Sequence, residues 1–477
     1  MKKLVLAYPN QRWKKTDANT NWDLSPSMLC LLAAMVKDIV EVQIIDAHFY
    51  NLSIEEFKKQ LIEGDPDYVG ISVLTTEYAE ILDTAAAAIK ETNPDIIIIA
   101  GGVHVTMEYK RVMENTDIDF AVRGEGEYVL RDLLQYLVYN KTFPENGLVY
   151  RKNGNIIAQN QAFVSDLDSL PWPDYELIKF EDYINKGPRI GPHRPPAYPY
   201  LMIAGTRGCP FGCSFCQVET ISGRKVRHRN PEDFINELIF LKERYGIKSI
   251  IFVDDNIVMA KKFFVRVLEL FIEKELNMQF IIGAFAIFLL TDELLELMAK
   301  AGCVGVNVAI ESGNDRILKE VIHKPVNLED AKKMIGMIKR KGLFCLANFI
   351  IGFPGETWAE IRETIHYAEI CGADYVKIFV AVPLNGTKMR DIAVELGVLP
   401  DKNNINVDWR YAQIVSDEWT SRDVSILRVY EWDRINFSSP ERRKRTAELW
   451  GIDELGMEKI RKETRDALTF ESISAQV

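Results

Sequence analysis

Cysteine is scarce, with seven residues in 477. That odd and thin supply cannot build a disulfide scaffold and fits a reducing cytosol. Long apolar runs are missing too: the longest nearly uninterrupted one, Phe280 to Leu290, is far short of the roughly 20 residues a spanning helix needs. Lys2-Lys3 leads straight into a short apolar run with no cleavage-site pattern, so no signal peptide is expected. Basic residues are outnumbered, 58 against 69 acidic ones, for a formal charge of −11. A net-negative surface repels phosphate backbones, which argues against a nucleic-acid partner while leaving room for a local basic pocket. What is present is a globular composition, 47% hydrophobic and 27% charged, too apolar for a disordered chain. At about 150 residues per domain the length suggests roughly three domains.

Residues 1–145 alternate short Ile/Val-rich runs with amphipathic stretches. Strands are expected at Lys3–Ala7, Val40–Asp46, Tyr68–Val73, Asp95–Ala100 and Phe120–Val122, with helices at Pro26–Val36, Ile54–Glu63, Ala79–Glu91 and Glu127–Tyr139. Near-continuous apolar strands between helices predict a doubly wound, Rossmann- or flavodoxin-like α/β domain with its ligand at the strands' carboxyl ends. Residues 146–198 read as a linker holding a β-hairpin (Leu148–Tyr150, Ile156–Ala158) and a packed proline-rich stretch that includes Gly191-Pro-His-Arg-Pro-Pro196. From 199 to 400 the strand–helix rhythm repeats six times, starting at Leu201, Ser249, Gln279, Val304, Leu346 and Val376. That repetition predicts a partial TIM-type (β/α)6 barrel with chemistry at the carboxyl ends of its strands. Residues 401–477 form a small, mostly helical region. Its Trp409, Trp419, Tyr430, Trp432, Phe437 and Trp450 either roof an apolar substrate or bury a helical cap.

Three of the seven cysteines crowd one loop just after the first barrel strand, Gly205-Thr-Arg-Gly-Cys209-Pro-Phe-Gly-Cys213-Ser-Phe-Cys216. Tetrahedral zinc wants four ligands, and no fourth cysteine or paired histidine lies nearby, His193 and His228 being single. Three thiolates suit a cubane iron–sulfur cluster whose fourth iron stays open. Zinc, or three core cysteines that merely cluster, remain the alternatives. Cys303, Cys345 and Cys371 occupy apolar positions and read as core.

The C-x3-C-x2-C loop at the head of a six-unit barrel resembles the radical S-adenosylmethionine superfamily. The resemblance implies that Cys209, Cys213 and Cys216 hold a [4Fe–4S] cluster whose open iron chelates S-adenosylmethionine, and that Phe215 approaches adenine. Asp254 and Asp255, in Phe252-Val-Asp-Asp-Asn256, match the position facing the methionine amine. Glu311 and Ser312 match the fourth-strand position for ribose hydroxyls or the amine, although an acid at a strand end is often a plain helix cap. Asn348, Gly352 and Pro354, in Asn348-Phe-Ile-Ile-Gly-Phe-Pro-Gly-Glu356, match the segment whose backbone contacts adenine.

A doubly wound domain ahead of such a barrel resembles that superfamily's cobalamin-binding class. The resemblance puts Ser72 and Thr75, Gly101 and Gly102, and Glu125 and Gly126 in the loops that hold cobalamin. The D-x-H-x-x-G cobalt-ligating loop is not reproduced: Asp46-Ala-His48-Phe-Tyr-Asn51 ends in Asn and follows the second strand. His48 and His104 are therefore expected to be surface or loop residues and not cobalt ligands. The similar transfer-RNA methylthiotransferases carry a second cysteine trio upstream, where this chain has only Cys30.

The resemblance implies a C-methyltransferase acting on an unactivated carbon through a 5′-deoxyadenosyl radical and methylcobalamin. The alternatives are an oxidative cyclase similar to the anaerobic magnesium-protoporphyrin monomethyl ester cyclase, and a non-catalytic cobalamin sensor or carrier. A small-molecule, lipid or tetrapyrrole substrate and a flavodoxin or ferredoxin reductant are the implied partners, with peripheral membrane contact compatible. The basic run Lys225-Val-Arg-His-Arg229 is expected to be a solvated face.

Overall fold

The computed structural model describes residues 1–13, 24–186, 194–400 and 411–466. Trp409 and His193 lie outside the described residues. Two compact units divide the chain, Met1–Gly187 with Thr220–Gly223, and Pro188–Glu219 with Arg224–Val477.

The first unit is built on β1 (Lys3–Tyr8), β2 (Glu41–Asp46), β3 (Tyr68–Ser72), β4 (Ile97–Gly101), β5 (Phe120–Val122), β6 (Leu148–Lys152) and β7 (Asn155–Ala158), in the order β2-β1-β3-β4-β5-β6-β7. β1 to β5 run parallel. Their sequences are apolar on both sides because both faces are covered. Val5 and Ala7 join Phe57 and Leu61 of the helix Ile54–Gly64 and Leu82 and Ile89 of Ala79–Thr92. Leu4 and Leu6, on the other face, join Leu29 and Val36 of Ser27–Val36 and Leu133 and Leu134 of Glu127–Tyr139. The order reverses at β1/β3, the switch point where such sheets take ligands.

Two features depart from expectation. The hairpin is not part of a separate linker: β6 pairs antiparallel with β5, Phe120 opposite Tyr150, and the first unit runs on past residue 145. β5 is only three residues long, and its edge is protected by β6, whose Leu148 and Val149 are buried. The helix Val103–Val112 was not foreseen, because its β-branched and polar residues carry little helical periodicity.

In the second unit β8 (Tyr200–Ile203) is followed by the short antiparallel pair β9 (Thr206–Arg207) and β10 (Arg227–His228). β11 (Ser249–Phe252), β12 (Gln279–Phe285), β13 (Cys303–Glu311), β14 (Phe344–Ile351) and β15 (Tyr375–Val380) complete it. β8 and β11 to β15 form one parallel six-stranded sheet in sequence order, the expected partial barrel. The helices between them start at side-chain caps written in the sequence: Asn230, Thr291, Asn327 and Thr357 each accept the backbone N–H three residues on. Phe252 points outward, its ring against Phe234 and Phe264 on the covering helices. By alternation Met202, Ile251, Ile281, Gly305 and Phe344 share one inward row, and Ala309, Asn348 and Lys377 share another.

Three helices, Ser421–Phe437, Pro440–Trp450 and Glu454–Asp466, close the described chain. Trp432, Phe437 and Trp450 pack with Leu346 and Tyr375, and the Trp419 indole donates to the Glu356 carbonyl at 2.8 Å. These aromatics bury a cap, whereas Tyr430 is 61% exposed. The cap also protects the free edge of β15: the Asn436 amide accepts from the Val376 N–H and donates to its carbonyl, both at 2.8 Å. Among the described residues no helix is long and apolar enough to cross a membrane.

Candidate functional site

The cysteine loop leaves β9 through Gly208, whose φ of +93° suits a residue without Cβ. The loop is pinned from two sides. Ser214 N–H donates to the Ile322 carbonyl (3.0 Å) and its carbonyl accepts from Met389 N–H (2.9 Å). Cys209, Cys213 and Cys216 are all half-buried. Burial pushes all three thiols up, Cys216 to about 12, and the other two cysteines raise Cys216 further. The Asn256 side chain and the backbone at Phe211 oppose this at Cys209, as does the backbone at Val218 at Cys216. Among the described residues no three His, Cys, Asp or Glu side chains converge closely enough to hold one metal ion. Three thiols on one loop suit a polynuclear centre in which each sulfur takes its own iron and one iron stays open. A single tetrahedral zinc wants a fourth ligand, which the loop does not supply.

Asp254 and Asp255 brace this loop. Asp254 Oδ1 accepts from Gly205 N–H (2.9 Å), Thr206 N–H (2.6 Å) and Thr206 Oγ1 (2.7 Å), and burial raises its carboxyl to about 7. Asp255 accepts from Gly208 N–H at 2.8 Å. The basic run is a solvated face only in part: Lys225 and His228 are exposed, but two of its arginines are structural. Arg227 is buried in the β9–β10 pair, and Arg229 forms an ion pair with Glu237, itself 1% exposed, and with Asp233. The guanidinium is held because two acids face it.

At the end of β13 Glu311 adopts φ +76°, rare for a residue with a side chain, and its Oε1 accepts from Lys324 Nζ at 2.8 Å with both groups buried. Lys324 lowers and Glu311 raises the Cys213 thiol, so the pair flanks that cysteine. Ser312 Oγ bonds Thr364 Oγ1 (3.0 Å) and accepts from Asn314 N–H (3.1 Å), which fixes the turn behind Glu311. Beyond β14, Gly352 has φ +83° and Glu356 Oε2 accepts from Gly352 N–H (2.7 Å) and Phe353 N–H (2.9 Å). Burial raises Glu356 to about 8. Pro354 continues this turn, and the Phe353 ring lies 6.2 Å from Phe215. Asn348 sits lower on β14, its Oδ1 buried without a hydrogen-bond partner.

The structure thus gathers the cysteine loop, the β13 end and the β14 turn into one place. Thr206, Lys324 and Thr364 were missed, and they follow no motif spacing.

In the first unit Ser72 on β3 pairs with Gly101 on β4 at the carboxyl edge of the sheet. A Cβ on Gly102 (φ +100°) would meet the Val73 carbonyl oxygen at 2.5 Å, whereas one on Gly101 would meet nothing within 4 Å. Leu74 beside them is 42% exposed. Open space over Gly101, with an exposed apolar side chain at its margin, fits a flat, largely apolar ligand such as a corrin. Thr75 caps the turn after β3 by accepting from Glu77 N–H at 3.4 Å. Glu125 is used otherwise: its carboxylate accepts from Val164 N–H and its N–H donates to the Ala162 carbonyl, tying down the segment after β7. Gly126 begins the helix Glu127–Tyr139. The expectation of a loop residue holds for His48, although it is buried, and is corrected for His104. His48 is a turn residue but 7% exposed, and His104 is 2% exposed within the helix Val103–Val112. Burial lowers His104 to about 4 and keeps it neutral. Cys303, Cys345 and Cys371 are buried, as expected for core, and Cys30 is buried as well.

The radical SAM superfamily profile matches residues 203–368, and that of the B12 binding domain matches residues 15–134. The chain is 30% identical over 388 residues to an uncharacterized methyltransferase of Pyrococcus horikoshii, 81% of either protein. It is 28% identical over 405 residues to an anaerobic magnesium-protoporphyrin IX monomethyl ester cyclase of Rubrivivax gelatinosus, 83% of this chain and 70% of the relative. Among solved structures it is similar in fold to TsrM, a radical S-adenosylmethionine methyltransferase from Kitasatospora setae. The TM-score is 0.68 at 17% identity, over 83% of this chain and 76% of that one.

Proposed function

Because the chain belongs to the cobalamin-binding enzymes of the radical S-adenosylmethionine superfamily, we propose that it is a C-methyltransferase for an unactivated carbon. The observation that carries this reading is a three-thiol loop, set between β9 and β10 of a six-stranded barrel, in a chain that also matches a B12 binding domain and a named methyltransferase. When bound, the [4Fe–4S] cluster supplies the electron that cleaves S-adenosylmethionine to a 5′-deoxyadenosyl radical, and cobalamin supplies the methyl group.

Cys209, Cys213 and Cys216 hold the cluster. Asp254 and Asp255 fix the loop that presents them, through Gly205, Thr206 and Gly208. Glu311, oriented by Lys324, and the backbone of Gly352–Pro354, held by Glu356, seat S-adenosylmethionine, with Phe215 against its adenine. Ser312 and Asn348 complete the seat from β13 and β14. Ser72, Thr75, Gly101 and Gly102 border the cobalamin opening, while Glu125 ties down the segment after β7 and Gly126 begins the helix that follows. A small acidic flavodoxin or ferredoxin is the reductant. A second reading, oxidative ring closure, is supported by the similarity to the cyclase. A pure cobalamin sensor is not supported, since it has no use for three oxidation-prone thiols.

Mass spectrometry of the product under anaerobic turnover tests the proposal. A gain of one methyl in place of hydrogen, with both S-adenosylhomocysteine and 5′-deoxyadenosine released, is expected. Product without added carbon, and 5′-deoxyadenosine without S-adenosylhomocysteine, means ring closure or another radical outcome.

A further inference from the structure

Asn230 and Asn327 stand at helix starts and use their side chains there, each accepting the backbone N–H three residues on. Asn256 holds the same place before the single-turn helix Ile257–Met259, yet its side chain makes no capping bond. It is 4% exposed, and its Oδ1 is buried without a hydrogen-bond partner. An unpaired amide oxygen in the interior is costly, so this side chain is not there to serve its own turn. Nor does it brace the cysteine loop as its neighbours do. Asp254 accepts from Gly205 and Thr206 N–H, and Asp255 from Gly208 N–H at 2.8 Å, all on the backbone that enters Cys209.

Those bonds lay the chain after β11 against the cysteine loop, and Asn256, the next residue, meets Cys209 itself. The two side chains are hydrogen-bonded. Since Oδ1 has no partner, the bond runs through Nδ2, and an amide nitrogen only donates. Its effect on the thiol has the matching sign, favouring the anionic sulfur. Cys209 is half-buried, where such a bond is stronger than in water. Hydrogen bonds to the sulfurs are one of the levers that set the potential of an iron–sulfur cluster. Reduction adds one negative charge, and a hydrogen bond to a charged acceptor is the stronger kind. A donor on a ligating sulfur therefore favours the reduced state.

We propose that Asn256 donates its Nδ2–H to the Cys209 sulfur when that sulfur ligates iron, and so raises the potential at which the cluster accepts its electron. The step it biases is a one-electron reduction, [4Fe–4S]²⁺ to [4Fe–4S]⁺, with the electron supplied by the flavodoxin- or ferredoxin-type carrier and no proton transferred. Asn256 acts through Cys209 and is a positioning residue, not a catalytic one. The proposal rests on the three cysteines holding a cubane cluster but does not depend on whether the outcome is methylation or ring closure.

Redox titration of the anaerobically reconstituted holoenzyme, followed by EPR without S-adenosylmethionine, compares the wild type with Asn256→Leu. Leucine keeps the size and removes the donor, and iron and sulfide are counted in both proteins. The variant is expected to load fully and to need a potential lower by about 59 mV, tenfold in the one-electron equilibrium constant. An unchanged potential at full loading overturns the proposal. So does a variant whose only defect is lost iron, since that marks a bracing role. If Asn256→Leu takes up no cluster, the wild type decides alone. With asparagine carrying ¹⁵N in its side-chain amide, pulsed EPR of the reduced cluster is expected to show a coupled ¹⁵N, and its absence overturns the proposal. A wild type without a cubane signal rejects the cluster itself, whereas a cubane with an unmoved potential rejects only the role of Asn256.

Discussion

Replacing Asp254 with alanine removes the acceptor for two buried backbone N–H groups and one hydroxyl on the segment that leads into Cys209. A buried donor left unpaired costs about 1–3 kcal/mol, so the two amides alone predict a loss of roughly 2–6 kcal/mol. Asn keeps the accepting oxygen and the size. The carboxyl is raised from 3.8 to about 7 by burial. That displacement disfavours the charged form in the folded protein by about 4 kcal/mol at 1.36 kcal/mol per unit. A raised carboxyl contributes stability that is complete below the unfolded value and is lost as pH climbs through about 7. Asp254→Asn should therefore flatten the decline between pH 4 and 7 (roughly the two values above) and match or exceed the wild type above it. The assay is urea unfolding of the apoprotein on both sides of that window, with iron and sulfide counted after reconstitution. Asp254→Ala should unfold earlier and take up less iron. If it unfolds within about 0.5 kcal/mol of the wild type, the size of an ordinary surface change, and loads iron fully, Asp254 does not brace the loop.

Three further outcomes follow from the same geometry. Cys213→Ala should lose the cluster absorbance and all 5′-deoxyadenosine formation while still binding cobalamin, since its loop and the B12 domain match are in different units. Gly101→Ala should leave the melting temperature nearly unchanged, because a Cβ there meets nothing within 4 Å, yet weaken cobalamin binding by spectroscopic titration. Unchanged affinity would remove Gly101 from that site. Glu356→Gln keeps an acceptor for Gly352 and Phe353 and removes a carboxyl raised to about 8. Its urea midpoint should therefore fall less than the wild type's as pH rises from 5 to 9, a window of about 4 units bracketing that value, and an equal fall would contradict the burial argument.

The two sheets and the cysteine loop were legible because their signals are local. Apolar strand runs flanked by capped helices reflect burial on both faces, and three cysteines within one loop need no tertiary information. The roles of Asp254 and Glu125 were not legible. Each stands in a loop after a strand, where an acid that binds a ligand and an acid that holds backbone look alike in sequence. Only the Gly205, Thr206 and Val164 amides reveal the second use. Lys324 was hidden because its partner Glu311 is 13 residues away across a helical turn, with no periodicity linking them. The hairpin's membership of the first sheet depended on a three-residue strand whose edge needed β6 to cover it.

The central claim, that Cys209, Cys213 and Cys216 hold a cubane cluster with one open iron, is tested most directly by Mössbauer spectroscopy of the protein reconstituted anaerobically with ⁵⁷Fe. The account predicts about four irons per chain in a diamagnetic [4Fe–4S] signal. One iron site should become distinct when S-adenosylmethionine is added. Mononuclear iron, or a cubane whose four irons ignore S-adenosylmethionine, would contradict it.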